Sequence, residues 1–330
     1  LDDDPTGTQS VSDLPVLTRW TAADFEWAFG RRAPAVYVLT NTRSLDPAEA
    51  EQRNREVVRN AIAAAGGRAL GFVSRSDSTL RGHFPLEPEV LADELARASG
   101  ARTDAVVIVP AFPDAGRVTI GGTHYMRDGA GGLVPVAETE FARDATFGYA
   151  HSHLAEYVEE KSGGRYRAGD VLVLDLDVIR GGRVADVLDG ATGGVPAVAD
   201  VVTENDLRAL ALGLAEAERR GKTLLYRVGP PFVRGRIGQE ARAPLTAAEA
   251  FAGRPPAPGG GLVVIGSHVG LTTRQFDVLR AEHTGARIVE LEVEKLLDGT
   301  GAEIDAVAGE VVAGLADGDV VLHTSRALVR

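Results

Sequence analysis

The sequence predicts an α/β protein with two domains of mainly parallel sheets flanked by helices, the second domain being incomplete. Short apolar runs rich in β-branched residues alternate with longer amphipathic stretches. This strand–helix–strand rhythm is typical of parallel strands joined by right-handed crossovers. The length of 330 residues agrees with two domains of roughly 100–200 residues each.

The elements of the first domain are marked by apolar runs and capping residues. Residues 35–40 (AVYVLT) are typical of a buried strand. Asp46-Pro47-Ala48-Glu49 supplies an N-cap, a first-turn proline and a capping box for the next helix, which is predicted to end at Gly66-Gly67. Further strands are predicted at 70–73, 105–110, 171–174 and 224–228, and further helices at 86–98 and 203–220.

Two stretches interrupt this rhythm. Residues 112–147 are rich in glycine and poor in periodic apolar residues, which predicts a long excursion over the surface. Residues 253–261 (GRPPAPGGG) contain nothing that packs and predict a linker. We therefore place a first domain at 1–252 and a second domain at 262–330.

The second domain repeats the α/β pattern on a smaller scale. Its strands are predicted at 262–265, 287–293 and 320–323, and its helices at 272–283 and 302–315. Because the sequence stops at Arg330, after the third of these strands, we expect this domain to be partial.

The composition argues against several classes of protein and site. The net charge of −12 disfavours a nucleic-acid backbone as the main partner, since such binding needs a dense cationic surface. No apolar run approaches the ~20 residues that span a bilayer. The lack of cysteine removes disulfides, thiolate nucleophiles and cysteine zinc sites, and it fits a reducing cytoplasm, where we expect the protein to act.

Familiar nucleotide and metal motifs are missing or misplaced. Gly221-Lys222-Thr223 has the end of a phosphate-binding P-loop, but Glu216 replaces the first glycine and the tripeptide precedes a strand. No Gly-x-Gly-x-x-Gly links a strand to a helix. The seven histidines form no His-x-x-x-His pair, so we expect no protein-held metal site.

Two polar clusters lie in the N-terminal part of the first domain, and ligands of open parallel sheets bind at strand ends. In Asp3-Asp4-Pro5-Thr6-Gly7, one carboxylate can accept a hydroxyl proton while its neighbour anchors the loop. Residues 74–83 (SRSDSTLRGH) follow a strand; their arginines suit a carboxylate, and their hydroxyls and Asp77 suit polyol oxygens. The plain alternatives are an Asx-rich turn and a capped βα loop.

Two further clusters complete the set. Residues 110–117 (PAFPDAGR) place Arg117 at the end of a proline-rigid loop, and a plain turn explains them equally well. Residues 265–270 (IGSHVG) join a strand to a helix, where Ser267 suits a phosphate or simply caps the helix. Together the clusters predict a polyhydroxylated acidic small molecule in the first domain and an anion facing the second.

These motifs resemble those of the four-carbon acid sugar kinase family. The similarity runs in order over essentially the whole chain, and DSTLRG is a rather specific string. It involves Asp3-Asp4-Pro5-Thr6-Gly7, residues 77–82 (DSTLRG), residues 110–113 (PAFP) with Gly116-Arg117, residues 141–149 (FARDATFGY) and Gly266-Ser267. Members of that family are ATP-dependent kinases of threonate, erythronate or 3-oxo-tetronates, with an N-terminal sugar-acid domain and a C-terminal nucleotide domain.

The resemblance implies a kinase that uses ATP and Mg²⁺ to phosphorylate a hydroxyl of a small acid sugar. Asp4 or Asp77 would act as the base, and Arg81 and Arg117 would hold the carboxylate. The full candidate set comprises catalytic Asp4 and Asp77, substrate-binding Asp3, Thr6, Arg75, Ser78, Thr79, Arg81, Gly82 and Arg117, and nucleotide-binding Gly266, Ser267 and His268.

The sequence departs from the family pattern in two places. The motif DDPTGTQ at 3–9 is that of a subgroup, the commoner form being Asp-Asp-Leu-Thr-Gly-Ala, so the substrate can differ from the tetronates. A second nucleotide-binding stretch, a Gly-Gly-x-Thr-Ser-type loop, has no counterpart before Arg330. We therefore expect this chain to lack part of the ATP site.

Two other functions fit the same residues: a nucleotide-independent lyase or isomerase of acidic sugars, and a sugar-acid-binding module without phosphoryl transfer. No nucleic-acid or membrane partner is expected, and the sequence is compatible with a homo-oligomer. Because the protein is acidic and both proposed ligands are anions, Arg75, Arg81 and Arg117 are predicted to form a local basic cluster.

Overall fold

The computed structural model describes residues 1–254, 259–297 and 301–327 of the protein. The chain divides into two compact units, Leu1–Ala243 and Pro244–Arg330. The division precedes the predicted linker at 253–261, of which residues 255–258 lie outside the described residues. No helix in the described ranges combines the length and the apolar character needed to cross a membrane.

The first unit is a mixture of strands, helices and single 3₁₀ turns. Its strands are β1 (Val16–Leu17), β2 (Tyr37–Val38), β3 (Val73–Arg75), β4 (Ala105–Val109), β5 (Arg117–Ile120), β6 (Thr123–Arg127), β7 (Leu133–Pro135), β8 (Leu172–Leu174), β9 (Val195–Ala199) and β10 (Leu224–Val228). Its helices are α1 (Ala22–Gly30), α2 (Pro47–Ala65), α3 (Leu86–Ser99), α4 (Leu154–Lys161), α5 (Leu176–Arg180), α6 (Val184–Leu188), α7 (Glu204–Arg219) and α8 (Phe232–Arg236). The 3₁₀ turns lie at Gly7–Ser10, Thr42–Ser44, Pro113–Ala115, Val136–Glu138, Glu140–Arg143 and Ala168–Asp170.

The main sheet of this unit is parallel, with strand order β3-β10-β4-β9-β8. β1 and β2 form a second parallel pair, and Asp2 bridges both Leu39 and Arg75, which places the N-terminal residues between β2 and β3. The register aligns Arg75 and Val109 with Val228, so the carboxyl ends of β3, β4 and β10 meet at one edge. The loops after these strands therefore converge, as the α/β prediction requires.

Apolar side chains alternate between the two faces of the sheet. Val107 and Val109 of β4 pack with α5, α6 and α7, whereas Ile108 packs in a second core with Leu154 and Val158 of α4. Helices α1, α2 and α3 surround a third core. Because both faces are covered, the strands are continuous apolar runs rather than alternating ones.

Local sequence signals predict α2 correctly but do not predict β9. Asp46 Oδ1 accepts the amide of Glu49 at 2.9 Å, Pro47 occupies the first turn, and the helix ends at Gly66 with φ +59°. β9 was not predicted because Pro196 interrupts its short apolar run. The fold class is confirmed, and the missing strand lies inside the sheet between β4 and β8.

The prediction of a surface excursion over residues 112–147 was wrong. Strands β5, β6 and β7 form an antiparallel sheet there, and Val118 and Val136 are fully buried. The β5–β6 turn is Gly121-Gly122, both at positive φ, and its two amides donate to Asp200 at 2.7 and 2.9 Å. A hairpin that buries one face needs few apolar residues, so periodicity did not reveal it.

The second unit is a smaller α/β structure. Parallel strands β11 (Leu262–Ile265), β12 (Arg287–Leu291) and β13 (Val320–Thr324) pair in the order β11-β13-β12. The helices are α9 (Ala247–Phe251), α10 (Gly270–Glu282), α11 (Val293–Leu297) and α12 (Ala302–Asp317). Its core contains Val289 of β12, Val320 of β13, and Val307 and Val311 of α12.

Candidate functional site

The N-terminal acidic residues lie inside the sheet edge rather than in a loose terminal turn. The Asp2 amide donates to Val38 O at 2.8 Å and the Asp3 amide donates to Arg75 O at 3.2 Å, so the segment pairs with both β2 and β3. Successive side chains of an extended segment alternate. Asp2 accordingly pairs with Arg75, while Asp3 pairs with Arg43.

The expectation that Arg75 binds a ligand is not supported by its placement. Its side chain is buried, and its guanidinium contacts Asp2, Ser76 O and Asp4 O. Burial raises the pKa of Asp2, and the nearby Arg75 acts against that shift. The Asp2–Arg75 ion pair therefore anchors the N-terminal segment to β3, which leaves Arg81 and Arg117 of the predicted basic cluster.

Arg43, which the sequence analysis missed, bridges the other two aspartates. It lies 2.8 Å from Asp3 Oδ1 and 3.0 Å from Asp4 Oδ2. Asp4 also accepts the Thr6 amide at 2.7 Å and the Thr6 hydroxyl. Burial would raise the pKa of Asp4, but Thr6 and Arg43 outweigh it and hold this pKa below its usual range. The available signal was a basic residue shortly after the first predicted strand.

Asp77 is the centre of the second cluster. Arg81 Nε lies 2.6 Å from Asp77 Oδ2, and the Thr79 hydroxyl donates to the same oxygen. Burial would raise the pKa of Asp77, yet Arg81 and then Arg43 lower it below its usual range. Asp77 is thus an ionised carboxylate shared between basic residues of two strand ends.

A buried ion pair lies beneath this loop. Arg227 of β10 pairs with Glu87 of α3, and both residues are almost fully buried. Gly82 has φ +120°, and a Cβ there would lie 2.6 Å from Arg227 Nη2 and 2.8 Å from Asp3 Oδ2. Gly82 is therefore a spacing residue that lets the loop approach the pair. A lone arginine within the apolar strand at 224–228 was a usable signal for a buried partner.

Arg117, in the third cluster, makes no ion pair with any described residue. Its Nε–H is buried and finds no hydrogen-bond acceptor there. Burial lowers the pKa of the Arg117 guanidinium, Asp77 acts against this shift, and the nearby Arg81 adds to it. The loop before it is fixed by Arg234, which pairs with Asp114 at 2.9 Å.

The structure thus brings the first three predicted clusters together around Asp77. Arg43 connects Asp77 electrostatically to Asp3 and Asp4, and the field of Asp77 reaches Arg117. Ser78 and Thr79 are buried in the loop itself, and the exposed Thr6 serves Asp4. The arrangement offers carboxylates to hydroxyl groups and an unpaired guanidinium to an anion.

The fourth cluster lies in the second unit, between β11 and α10. Gly266, Ser267 and His268 are exposed there. Arg326, which the sequence analysis did not single out, donates to Ser267 O at 2.7 Å and to Thr273 Oγ1 at 2.6 Å. A strand-to-helix turn with a serine and an adjacent arginine suits a phosphate group.

Comparison with known proteins matches two domain families to successive parts of the chain. A sugar-binding N-terminal domain family matches residues 1–268, and a nucleotide-binding C-terminal domain family matches residues 262–330. The chain is 28% identical to a D-erythronate kinase of Heliobacterium modesticaldum over 309 residues, and 30% identical to a D-threonate kinase of Cupriavidus necator over 305 residues. The chain belongs to the four-carbon acid sugar kinase family.

This member of the four-carbon acid sugar kinase family matches only part of those relatives. The alignments cover 88% and 89% of this chain, but 61% of the D-erythronate kinase and 65% of the D-threonate kinase. The chain therefore spans less than two thirds of the length of the curated relatives that it matches.

Solved structures share the fold. A protein of Salmonella typhimurium LT2 superimposes with a TM-score of 0.59 at 18% identity, covering 98% of this chain and 73% of that one. A Bordetella bronchiseptica protein, crystallised with bound citrate as a domain-swapped dimer, gives a TM-score of 0.53 at 22% identity, covering 97% and 71%. At these identities the comparison supports the two-domain α/β fold alone.

Asp3 links the stability of this family member to pH. Burial raises the pKa of Asp3 to about 6, with Arg43 acting against the shift. Between the ordinary pKa of 3.8 and about 6, the folded protein keeps the Asp3 proton that the unfolded chain has released. The contribution of Asp3 to the free energy of unfolding is therefore present at low pH and is lost as the pH rises through about 6. We expect the unfolding free energy of wild type minus that of Asp3→Asn to fall by at most about 3 kcal/mol between pH values of about 4 and 7.

Urea unfolding at a series of pH values measures this difference. Fluorescence of Trp20 and Trp27, the two tryptophans of the chain, reports on the first unit because both lie in it. A difference that is flat or that rises with pH would contradict the assigned direction for Asp3.

Proposed function

We propose that the protein is a sugar-acid kinase that uses Mg²⁺-ATP to phosphorylate a hydroxyl of a small acid sugar of the erythronate or threonate type. Arg117 is the observation that carries this proposal. Its partly buried guanidinium makes no ion pair in the part of the chain that the structure describes, although it lies within the electrostatic reach of Asp77 and Arg81. A ligand carboxylate supplies the missing anion, and the named activities of the relatives support that class of ligand.

The remaining groups fit the hydroxyl end of such a ligand. Asp4 and Asp77 both have lowered pKa values, because arginines and hydroxyl donors outweigh the effect of burial. Each is therefore ionised and can accept a hydrogen bond from a ligand hydroxyl. In the proposed reaction the substrate oxygen bonds to the γ-phosphorus of ATP, its proton passes to Asp77, and ADP leaves. Such a transfer depends mainly on positioning and charge neutralisation.

Nucleotide binding is proposed for the second domain, at 262–330, and sugar-acid binding for the first, at 1–252. Gly266, Ser267 and His268 would approach the phosphates, with Arg326 as an additional cation. Mg²⁺ enters as the ATP complex in this proposal; the described residues contain no group of three or more metal-ligating side chains that could hold an ion. A cytoplasmic location is part of this proposal, and the need for ATP and a cysteine-free sequence support it.

The test is a coupled assay of ADP release by the protein with Mg²⁺-ATP and a panel of four- and five-carbon sugar acids. We expect release with at least one member of the panel, and calorimetry should show that the same acid binds. Turnover of an acid without ATP would replace the proposal by a lyase or isomerase. Binding of an acid without ADP release would replace it by a binding module.

Arg117→Met is expected to weaken sugar-acid binding by about tenfold to a hundredfold, since a charge-assisted hydrogen bond contributes roughly 1.5–3 kcal/mol. The backbone of Arg117 pairs with Phe112, so the loop should keep its shape when the side chain is changed. Calorimetric dissociation constants measure the effect.

Arg102→Met is the matched control for this variant, because it removes the same charge from an exposed position at the opposite end of β4. Equal affinity losses in both variants would mean that overall charge, not a contact at Arg117, governs binding.

A further inference from the structure

The loop at 76–82, which carries Asp77 and Arg81, has an unfavourable backbone. Leu80 has φ +68°, a left-handed conformation that is unfavourable for a non-glycine residue, and Gly82 has φ +120°. A loop with such geometry keeps one shape only when its surroundings over-determine it. The contacts of its carbonyl groups provide that restraint.

Three consecutive carbonyl oxygens of the loop accept hydrogen bonds from three buried side chains. His124 Nε2 lies 2.8 Å from Ser78 O, the Tyr149 hydroxyl 2.8 Å from Thr79 O, and the Tyr157 hydroxyl 2.9 Å from Leu80 O. The donors come from β6, from the end of the motif at 141–149, and from α4. We call these three side chains the carbonyl clamp.

The geometry fixes the donor atoms of the clamp. Ser78 O can only accept, so His124 Nε2 donates to it, and in a neutral ring Nδ1 then accepts from the Thr119 hydroxyl at 2.9 Å. Burial lowers the pKa of His124 to about 4, which agrees with a neutral ring of that tautomer. The rings of Tyr149 and Tyr157 meet edge to face at 5.7 Å, which restrains both hydroxyls.

The same segment also contacts the side chain of Arg81. Phe141 lies under its guanidinium at 5.0 Å, and Asp144 lies 3.8 Å from Arg81 Nη1. The residues at 141–149 thus restrain the loop at two points, at the backbone of Thr79 and at the guanidinium of Arg81. This gives a physical role to a motif to which the proposed chemistry assigns none.

We propose that His124, Tyr149 and Tyr157 are positioning residues that lock the loop at 76–82 into the shape in which Asp77 and Arg81 bind the sugar acid. The identity of the ligand as a sugar acid rests on the proposed function, whereas the restraint of the loop does not. Without one donor, a buried carbonyl loses its partner and the strained backbone opens more often.

Hydrogen–deuterium exchange of the unliganded protein tests the restraint directly. Tyr149→Phe and Tyr157→Phe each remove a single hydroxyl, and we expect about tenfold faster exchange of the amides at 76–82 in either variant, with little change in β10. Tyr226→Phe is the matched control, because it removes a buried hydroxyl that donates to Glu218, away from the loop. It should leave exchange at 76–82 unchanged.

Calorimetry of a sugar acid that binds the wild type tests the consequence. Both loop variants should bind it about tenfold more weakly, and Tyr226→Phe should bind normally. Unchanged exchange at 76–82 in both loop variants overturns the clamp. Faster exchange with unchanged affinity overturns its role in binding. If the wild type binds no sugar acid, the proposed function fails, and the exchange experiment still decides whether the clamp restrains the loop.

Discussion

Asp77→Asn is expected to lower the turnover number for sugar-acid phosphorylation by about 10²–10⁴-fold, the usual contribution of a general base. The substitution keeps the size of the side chain and an oxygen that can accept the Thr79 hydrogen bond. It removes the negative charge of the carboxylate, which Arg81 and Arg43 stabilise. Because the carboxamide cannot accept the hydroxyl proton, turnover should fall much more than affinity. Steady-state ADP release and calorimetry on the same protein separate the two quantities.

Asp175→Asn is the control for this experiment. Asp175 follows β8 at the far edge of the same sheet and caps α5, and asparagine is an equally good N-cap. We expect it to keep wild-type turnover. Full turnover of Asp77→Asn together with inactivity of Asp4→Asn would transfer the role of base to Asp4, while activity in both variants would remove the carboxylates from the mechanism.

Arg227→Met is expected to reduce the free energy of unfolding of the first unit by about 3–5 kcal/mol. Arg227 and Glu87 are almost fully buried, and the variant leaves the carboxylate of Glu87 without its counter-charge. Ser74 and Thr42 still donate hydrogen bonds to Glu87, but neutral donors do not replace a guanidinium. Urea unfolding followed by tryptophan fluorescence measures the loss.

Two further variants test this explanation. Arg220→Met removes an exposed arginine that pairs with Glu216, Asp186 and Asp189, and its unfolding midpoint should stay close to that of wild type. The double variant Arg227→Met/Glu87→Gln should recover part of the loss, because no unpaired charge then stays buried. Equal losses at the buried and the exposed arginine would show that the ion pair beneath the loop has no special importance.

Local signals account for the parts of the fold that were predicted correctly. α2 is bounded by Asp46 and Gly66, and the strand at 262–265 is a compact apolar run, so each is determined by residues close in sequence. Two elements were not predicted, for different reasons. Pro196 interrupts the short apolar run of β9, and the β5–β6 hairpin is secured by Asp200, which lies far along the chain.

The residues of the candidate site also differ in how far the sequence predicted their contacts. The sequence placed Asp77 and Arg81 in one ligand-binding loop but did not predict that they pair, and the structure shows Arg81 Nε 2.6 Å from Asp77 Oδ2. Arg75 is only six residues from Arg81, yet it lies inside the sheet and pairs with Asp2. Sequence cannot separate these two arginines, because the difference depends on which strand inserts beside β3.

The sequence by itself determined the α/β class and a pattern of strands and helices long enough for two domains. It also determined which acidic and basic residue types follow the strands. These depend on periodicity, capping and composition, which are local properties. Only the tertiary structure decided which charged side chains are paired inside the protein. Arg75 and Arg227 pair with buried carboxylates, whereas Arg117 makes no ion pair with any residue that the structure describes, because pairing depends on distances between segments far apart in the chain. The clamp on the loop at 76–82 has the same origin, since its donors at positions 124, 149 and 157 reach the loop only after the sheet has formed.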